Sequence, residues 1–220
     1  MSVLSQSEIR RRLALPPPDP ESLVITPILD RENALSEKDA VDLRLGCYFL
    51  LPRLSLSRNA HFCPDSTSPQ SLYMRLHVPL GRYLVVPAHQ TVLGATLEFI
   101  KLPYDVSGEI LTKSSVARTF TLIETAPWVH PSYRGCLTLE IANVSNTPLL
   151  LYPGRAIGQL VLLNVEPKPE KPKMGREQLS GKYLGPVYPE PPKFDNPEDD
   201  LRKIGILKTL IIPPASFGKE

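Results

Sequence analysis

The chain has 220 residues, 25 Lys and Arg against 23 Asp and Glu, and a formal charge of +2. That length supports one sizeable core with room for a tail, and basic residues spread along the chain leave no broad patch for DNA or RNA, so any anion it holds is expected to be small and bound locally. The 25 prolines are about twice the usual share of roughly 5%, which excludes long helices.

Cys47, Cys63 and Cys136 are odd in number and far apart, and the opening MSVLSQSEIRRRLALPPP has no apolar run long enough for a signal peptide or a membrane span. These features describe a reduced, cytoplasmic protein without disulfides and without a membrane partner. An N-terminal helix comes first: Ser5 followed three residues later by Glu8 forms a capping box, and EIRRRLAL continues until the prolines at 16 to 18.

Strands dominate the next 140 residues or so. LVITP, AVDLRLGCYFLL, LYMRLHVPL, RYLVVPAHQTVLGATLEFIKLP, SGEILTKS, FTLIETAP, GCLTLEIANVS and TPLLLYPGRAIGQLVLLNV are rich in apolar and β-branched residues and are punctuated by Pro, Gly and Asn. That spacing predicts a mainly β fold, a distorted barrel or a double-sheet jelly roll, over residues 1–165. Within YPGRAIGQL a hairpin turn is expected, with Gly154 in the turn and Gly158 permitting close backbone approach.

Residues 166–220 change character. EPKPEKPKMGREQLSGKYLGPVYPEPPKF has too many prolines and too few apolar residues for a core of its own, so it reads as an extended arm lying over something. Asn196 with Pro197 could cap a short helix, PEDDLRKIGIL, and the terminal TLIIPP is apolar enough to pack on the body or on a neighbouring subunit.

Two stretches carry candidate chemistry. In GEILTKSSVARTF a strand gives way to a short helical turn with Lys113, Ser114, Ser115 and Arg118 close together, a setting of free backbone N–H groups, hydroxyls and cations that suits phosphate. The same residues admit a plain reading, in which a serine caps the turn and the cations are solvated. In RGCLTLEIANVSN a period of two puts Leu137, Leu139 and Ile141 on one face and Cys136, Thr138, Glu140 and Ala142 on the other, so Glu140 has small neighbours and space for a ligand beside it. Taken alone it reads first as an ordinary exposed Glu on a half-buried strand.

The remaining singletons weigh less. His61 and Cys63 lie in HFCPDS, but with no CxxC and no HxE followed by paired cysteines a zinc site is not expected. His77 and His89 read as surface or barrel-edge residues, and Trp128 as a packing residue.

Taken in order, AVDLRLG, KSSVAR, TAPWVHPSYRGCLTLEIAN, LYPGRAIGQL and GKY resemble the dCTP deaminase branch of the dUTPase superfamily, over roughly residues 4 to 186. The resemblance implies a trimer of distorted β-barrels with sites at subunit boundaries, Mg²⁺ on the nucleotide triphosphate, and a C-terminal arm that closes over the ligand. It implies that Lys113, Ser115, Val116, Ala117 and Arg118 bind nucleotide, that Ser114 places the reacting water, and that Glu140 is the catalytic group. By the same resemblance Ala126, Tyr133, Thr138 and Leu139, with Lys182 and Tyr183 of the arm, complete the nucleotide set, with Tyr133 either the wall against ribose or a core or interface residue. Where the family usually has an aspartate for the deoxyribose 3′-hydroxyl this chain has His130, whose neutral ring can also accept a hydrogen bond. A glutamine expected in the arm is Pro186.

Hydrolytic deamination of cytosine needs water at C4, a proton at N3 and departure of ammonia. Without zinc, Glu140 is expected to carry each proton, an effect of typically 10²- to 10⁴-fold, with positioning and fixed dipoles supplying the rest. The leading expectation is dCTP to dUTP and ammonia. The alternatives are dUTP diphosphatase activity, alone or following deamination to give dUMP, and a nucleotide-binding homologue without catalysis.

Overall fold

The computed structural model describes residues 2–28, 39–53, 73–123, 126–168, 170 and 185–193. Helix α1, Gln6–Ala14, starts where Ser5 accepts from the Glu8 N–H at 3.4 Å. Its Glu8 carboxylate is engaged by Arg11 and Arg12.

Eleven strands follow among the described residues: β1 Val24–Thr26, β2 Ala40–Pro52, β3 Tyr73–His77, β4 Leu84–Val86, β5 Thr91–Lys101, β6 Val106–Thr112, β7 Thr121–Ile123, β8 Trp128–Val129, β9 Arg134–Asn143, β10 Leu149–Leu151 and β11 Ala156–Asn164. A four-residue helix, α2 Ser114–Ala117, interrupts them after β6. Nine strands form one antiparallel sheet in the order β7-β9-β5-β2-β11-β6-β8, with β1 on β5 and β3 on β2. The sheet curls so that β7, at one end, returns to β6, next to the other end, where the Ile123 N–H donates to Thr112 Oγ1 at 3.0 Å. The result is the mainly β, barrel-like fold the strand pattern predicts.

Alternation builds the core. Val41, Leu43 and Leu45 of β2, Leu137, Leu139 and Ile141 of β9, and Leu160 and Leu162 of β11 point inward and are buried. Ile9 of α1 closes one side of this cluster. Beside it the Arg12 guanidinium makes two hydrogen bonds to Asp105, at 2.8 and 3.0 Å, both side chains being buried.

Three expectations change. The stretches from 82 and from 147 each break into two strands, and LYPGRAIGQL is not a hairpin: β10 pairs with β4, whereas β11 pairs with β2 and β6. The turn between them does place Gly154 at φ +84°, and a β-carbon on Gly158 would lie 3.3 Å from Ile123 Cδ1. Trp128 is not a core residue, since it stays 38% exposed on β8 opposite Glu109. His77 lies on β3 and His89 in a turn, both exposed. The expected last helix, the TLIIPP segment, and Cys63 with His61 lie outside the described residues.

Candidate active site

The stretch Lys113–Arg118 leaves β6 and turns at once into α2. The N-cap is Lys113, and no side chain caps the helix, so neither serine takes that role. Ser114, Ser115 and Arg118 are exposed and Val116 and Ala117 half-buried, Val116 resting on the core. Lys113 is not freely solvated, because its ammonium donates to Asp42 Oδ2 of β2 at 2.5 Å. Gln159 donates to the other oxygen of the same carboxylate, at 3.3 Å. Asp42 thus fixes the cation at the head of the loop.

Glu140 is half-buried on the outer face of β9. Strand registers set it in a row across four strands, Arg75, Leu50, Leu93 and Glu140. Its charge reaches Tyr73, whose hydroxyl is raised above its ordinary value first by burial and then by this carboxylate. The loop and Glu140 belong to the same end of the barrel: Thr112, next to Lys113, binds Ile123, and Ile123 pairs with Ile141.

His130 belongs to the other end. Trp128 lies opposite Glu109 and Val129 opposite Gly108, so the chain at 130 runs away from Lys113. At about 3.3 Å per residue along β6 the separation is roughly 20 Å. His130 is exposed, and its carbonyl accepts from the Tyr133 N–H at 3.2 Å. Tyr133 is half-buried, its hydroxyl donates to the Cys136 carbonyl at 2.9 Å, and burial raises it above its ordinary value. Thr138 is half-buried and Ala126 exposed. Leu139 is fully buried, so only its main chain can face a ligand.

The arm returns to this face. The Gly185 N–H donates to the Arg134 carbonyl and the Cys136 N–H to the Pro186 carbonyl, both at 2.7 Å, and the Glu190 N–H donates to Thr138 Oγ1 at 3.1 Å. Tyr188 meets Tyr48 edge to face at 4.6 Å, and Tyr48 packs on His77 at 4.7 Å. Pro186 therefore serves as a seat on the edge of β9. Lys182 and Tyr183 lie outside the described residues.

A family model described as dCTP deaminase-like matches residues 3–165. This chain belongs to the dCTP deaminase-like family. Its relatives include "dCTP deaminase, dUMP-forming" of Mycolicibacterium paratuberculosis, 35% identical over 161 residues, 73% of this chain and 83% of that one. The protein of the same name from Methanosphaera stadtmanae is 30% identical over 196 residues, 88% of this chain and 94% of that one. Among solved structures, a 2′-deoxycytidine 5′-triphosphate deaminase from Agrobacterium tumefaciens superposes with a TM-score of 0.54 at 22% identity, over 73% of this chain and 47% of that chain, a likeness of fold.

For a dCTP deaminase-like chain, Asp42 and Glu98 are additions to the residues singled out from the sequence. Glu98 is 1% exposed and accepts from the Arg44 N–H at 2.8 Å and the Arg44 guanidinium at 3.3 Å, and burial raises its carboxyl above its ordinary value. The signal for both was visible: Asp42 alternates with core residues in AVDLRLG, and Glu98 is a lone charge in VLGATLEFI. No three His, Cys, Asp or Glu side chains gather among the described residues as a metal would require. Among those residues no helix is long and apolar enough to cross a membrane.

Proposed function

We propose that this protein hydrolyses dCTP to dUMP, ammonia and pyrophosphate. The observation that carries the reading is the match to relatives named dUMP-forming over more than four fifths of their length. The placing of Lys113–Arg118 and Glu140 at one end of the barrel supports it.

In the deamination half, Glu140 takes a proton from water as it attacks C4, delivers it to N3, and returns a second proton to the departing ammonia, with Ser114 holding the water. Loss of ammonia leaves the uracil nucleotide. In the second half another water attacks the α-phosphorus and pyrophosphate leaves, its charge held by Arg118, Ser115 and the open N–H groups of α2. Mg²⁺ would enter on the triphosphate oxygens as part of the substrate. Thr138, the Leu139 main chain and Ala126 would border the base, Tyr133 and His130 the sugar, and Lys182 and Tyr183 the phosphates. Residues 1–165, which contain the 3–165 span of the family model, would be the catalytic barrel and 166–220 the arm.

His130 and the loop at 113 are too far apart in one chain to serve one nucleoside. A homotrimer with sites shared between subunits fits this separation, since one copy supplies the loop and the next the 130–133 segment. A cytoplasmic, nucleotide-metabolising role goes with it.

A second reading stops at dUTP, and its support is His130, a neutral acceptor where the family usually has a carboxylate. Incubation with dCTP and Mg²⁺ followed by chromatography separates the two: dUMP and equimolar ammonia and pyrophosphate are expected. Ammonia with dUTP as the end product would favour the second reading, and no ammonia at all would remove both.

A further inference from the structure

The ribbon of β4 and β10 is apolar on both of its faces. Leu84, Val86 and Leu151 point into the core and are buried, whereas Val85 and Leu150, opposite one another in the register, are 46% and 44% exposed. One step further along, the rings of Tyr83 and Tyr152 meet at 5.5 Å and also stay exposed. A ribbon face meant only for water would carry polar side chains at these four positions.

Two like turns frame the tyrosine end. The Arg82 N–H donates to the Pro79 carbonyl at 3.1 Å, and the Arg155 N–H to the Tyr152 carbonyl at 3.2 Å. Each turn has glycine in its third place, Gly81 at φ +82° and Gly154 at φ +84°, and an exposed arginine in its fourth. The turns touch, since a β-carbon on Gly154 would lie 3.1 Å from Leu80 Cδ2. Residues 78–97 and 144–165 contain no Asp or Glu, and neither arginine has a carboxylate partner among the described residues. Such a face suits a segment with carboxylates at one end and apolar side chains at the other.

We propose that residues 198–207 of this chain, EDDLRKIGIL, dock on this face, their carboxylates at Arg82 and Arg155 and their apolar side chains over Val85 and Leu150. They lie outside the described residues, and charge and reach select them as the occupant. Glu198, Asp199 and Asp200 are the only three acidic residues in a row in the chain, and Leu201, Ile204, Ile206 and Leu207 follow directly. The arm already approaches the turns: Tyr188 meets Tyr48, Tyr48 packs on His77, and the turn at Pro79 begins two residues later. From β9, where Glu190 is held, to β2 beside the turns is two strand steps, roughly 10 Å across the sheet. Past Lys193, where the described arm ends, five residues reach Glu198 and span up to roughly 17 Å, and fourteen reach Leu207 and span up to roughly 46 Å.

The test uses the full chain and hydrogen exchange read by mass spectrometry over residues 198–207, with circular dichroism to follow folding. Arg82→Glu with Arg155→Glu reverses the charge of the seat, and Asp199→Lys with Asp200→Lys reverses that of the segment. Each pair alone is expected to speed exchange there at least about tenfold, and all four together to return it towards wild type. Val85→Ser with Leu150→Ser tests the apolar half, should speed exchange as well, and carries the test if the arginine pair fails to fold. Wild-type amides at 198–207 that exchange as fast as in an unstructured peptide would overturn the proposal. Reversed pairs that never rescue one another would overturn it too, and so would protection that survives every substitution, which would seat the segment elsewhere. Fast exchange at 198–207 together with protection of the ribbon by an added acidic peptide would give the face to another protein and end the proposal.

Discussion

Pro186 is pressed against the bare backbone of Gly135: a β-carbon built there would lie 2.5 Å from Pro186 Cδ and 3.0 Å from its nitrogen and its oxygen. Gly135 also has φ +141°, which L side chains rarely adopt. Gly135→Ala is therefore expected to unseat the arm and to cost about 1–3 kcal/mol. Limited proteolysis should cut the arm faster in the variant, and thermal melting should report the loss. An arm as resistant as wild type would show that its seat lies elsewhere.

Glu140 offers the most direct test of the chemistry. Glu140→Gln keeps size and hydrogen bonding but cannot carry protons, so ammonia release should fall by at least roughly 10²-fold. Nucleotide affinity, read by calorimetry with dCTP, should change little if the carboxylate acts, as proposed, on water and on N3. Retained turnover would dismiss Glu140 as the proton carrier.

Much of this was legible in the sequence, and the limits were physical. Alternation gave the inward face of Leu137, Leu139 and Ile141, and the Ser5–Glu8 spacing gave the start of α1, because both patterns are local. The pairing of β10 with β4 and the Lys113–Asp42 contact join segments more than 60 residues apart, and periodicity carries no register between distant strands. Glu8 shows the same limit: its N–H donates to the capping Ser5 hydroxyl as the motif predicts, but its carboxylate turns to Arg11 and Arg12. The loop at 113 could be read as a site, whereas its separation from His130 depends on the register of β8 against β6.

The pairing of α1 with the barrel predicts acid sensitivity. Burial pushes the Asp105 carboxyl up, but the hydrogen bonds and charge of Arg12, and then of Lys168, outweigh it, so its pKa is below the ordinary value. Glu8 is lowered to about 2, mainly by its hydrogen bond to Arg11. Carboxylates with depressed folded values lend stability that is present above their unfolded pKa and lost as pH falls through the folded one. Resistance to urea should therefore fall from about pH 4.5 down towards pH 2. Asp105→Asn leaves buried Arg12 with Glu8 as its remaining carboxylate partner and should cost about 1–3 kcal/mol at pH 7 while flattening the acid limb. A variant with the wild-type acid profile would remove Asp105 from the account.

In the proposed reaction His130 borders the sugar, so a substitution there tests both how the sugar is held and how far the reaction runs. Its side chain is exposed, and the loop around it is fixed by main-chain bonds, Ser132 N–H to the Pro103 carbonyl at 3.1 Å and Tyr133 N–H to the His130 carbonyl, so His130→Asp should leave the fold intact. A carboxylate accepts a hydroxyl proton more strongly than a neutral imidazole, by about 1 kcal/mol, which corresponds to a KM for dCTP lower by roughly fivefold. The second water attacks near the same sugar, so pyrophosphate release from dUTP should rise more than ammonia release from dCTP. Assaying the two products separately in wild type and variant measures both effects. Equal KM and equal product ratios would show that position 130 stands apart from the nucleotide, and the shared-site geometry drawn from it would go as well.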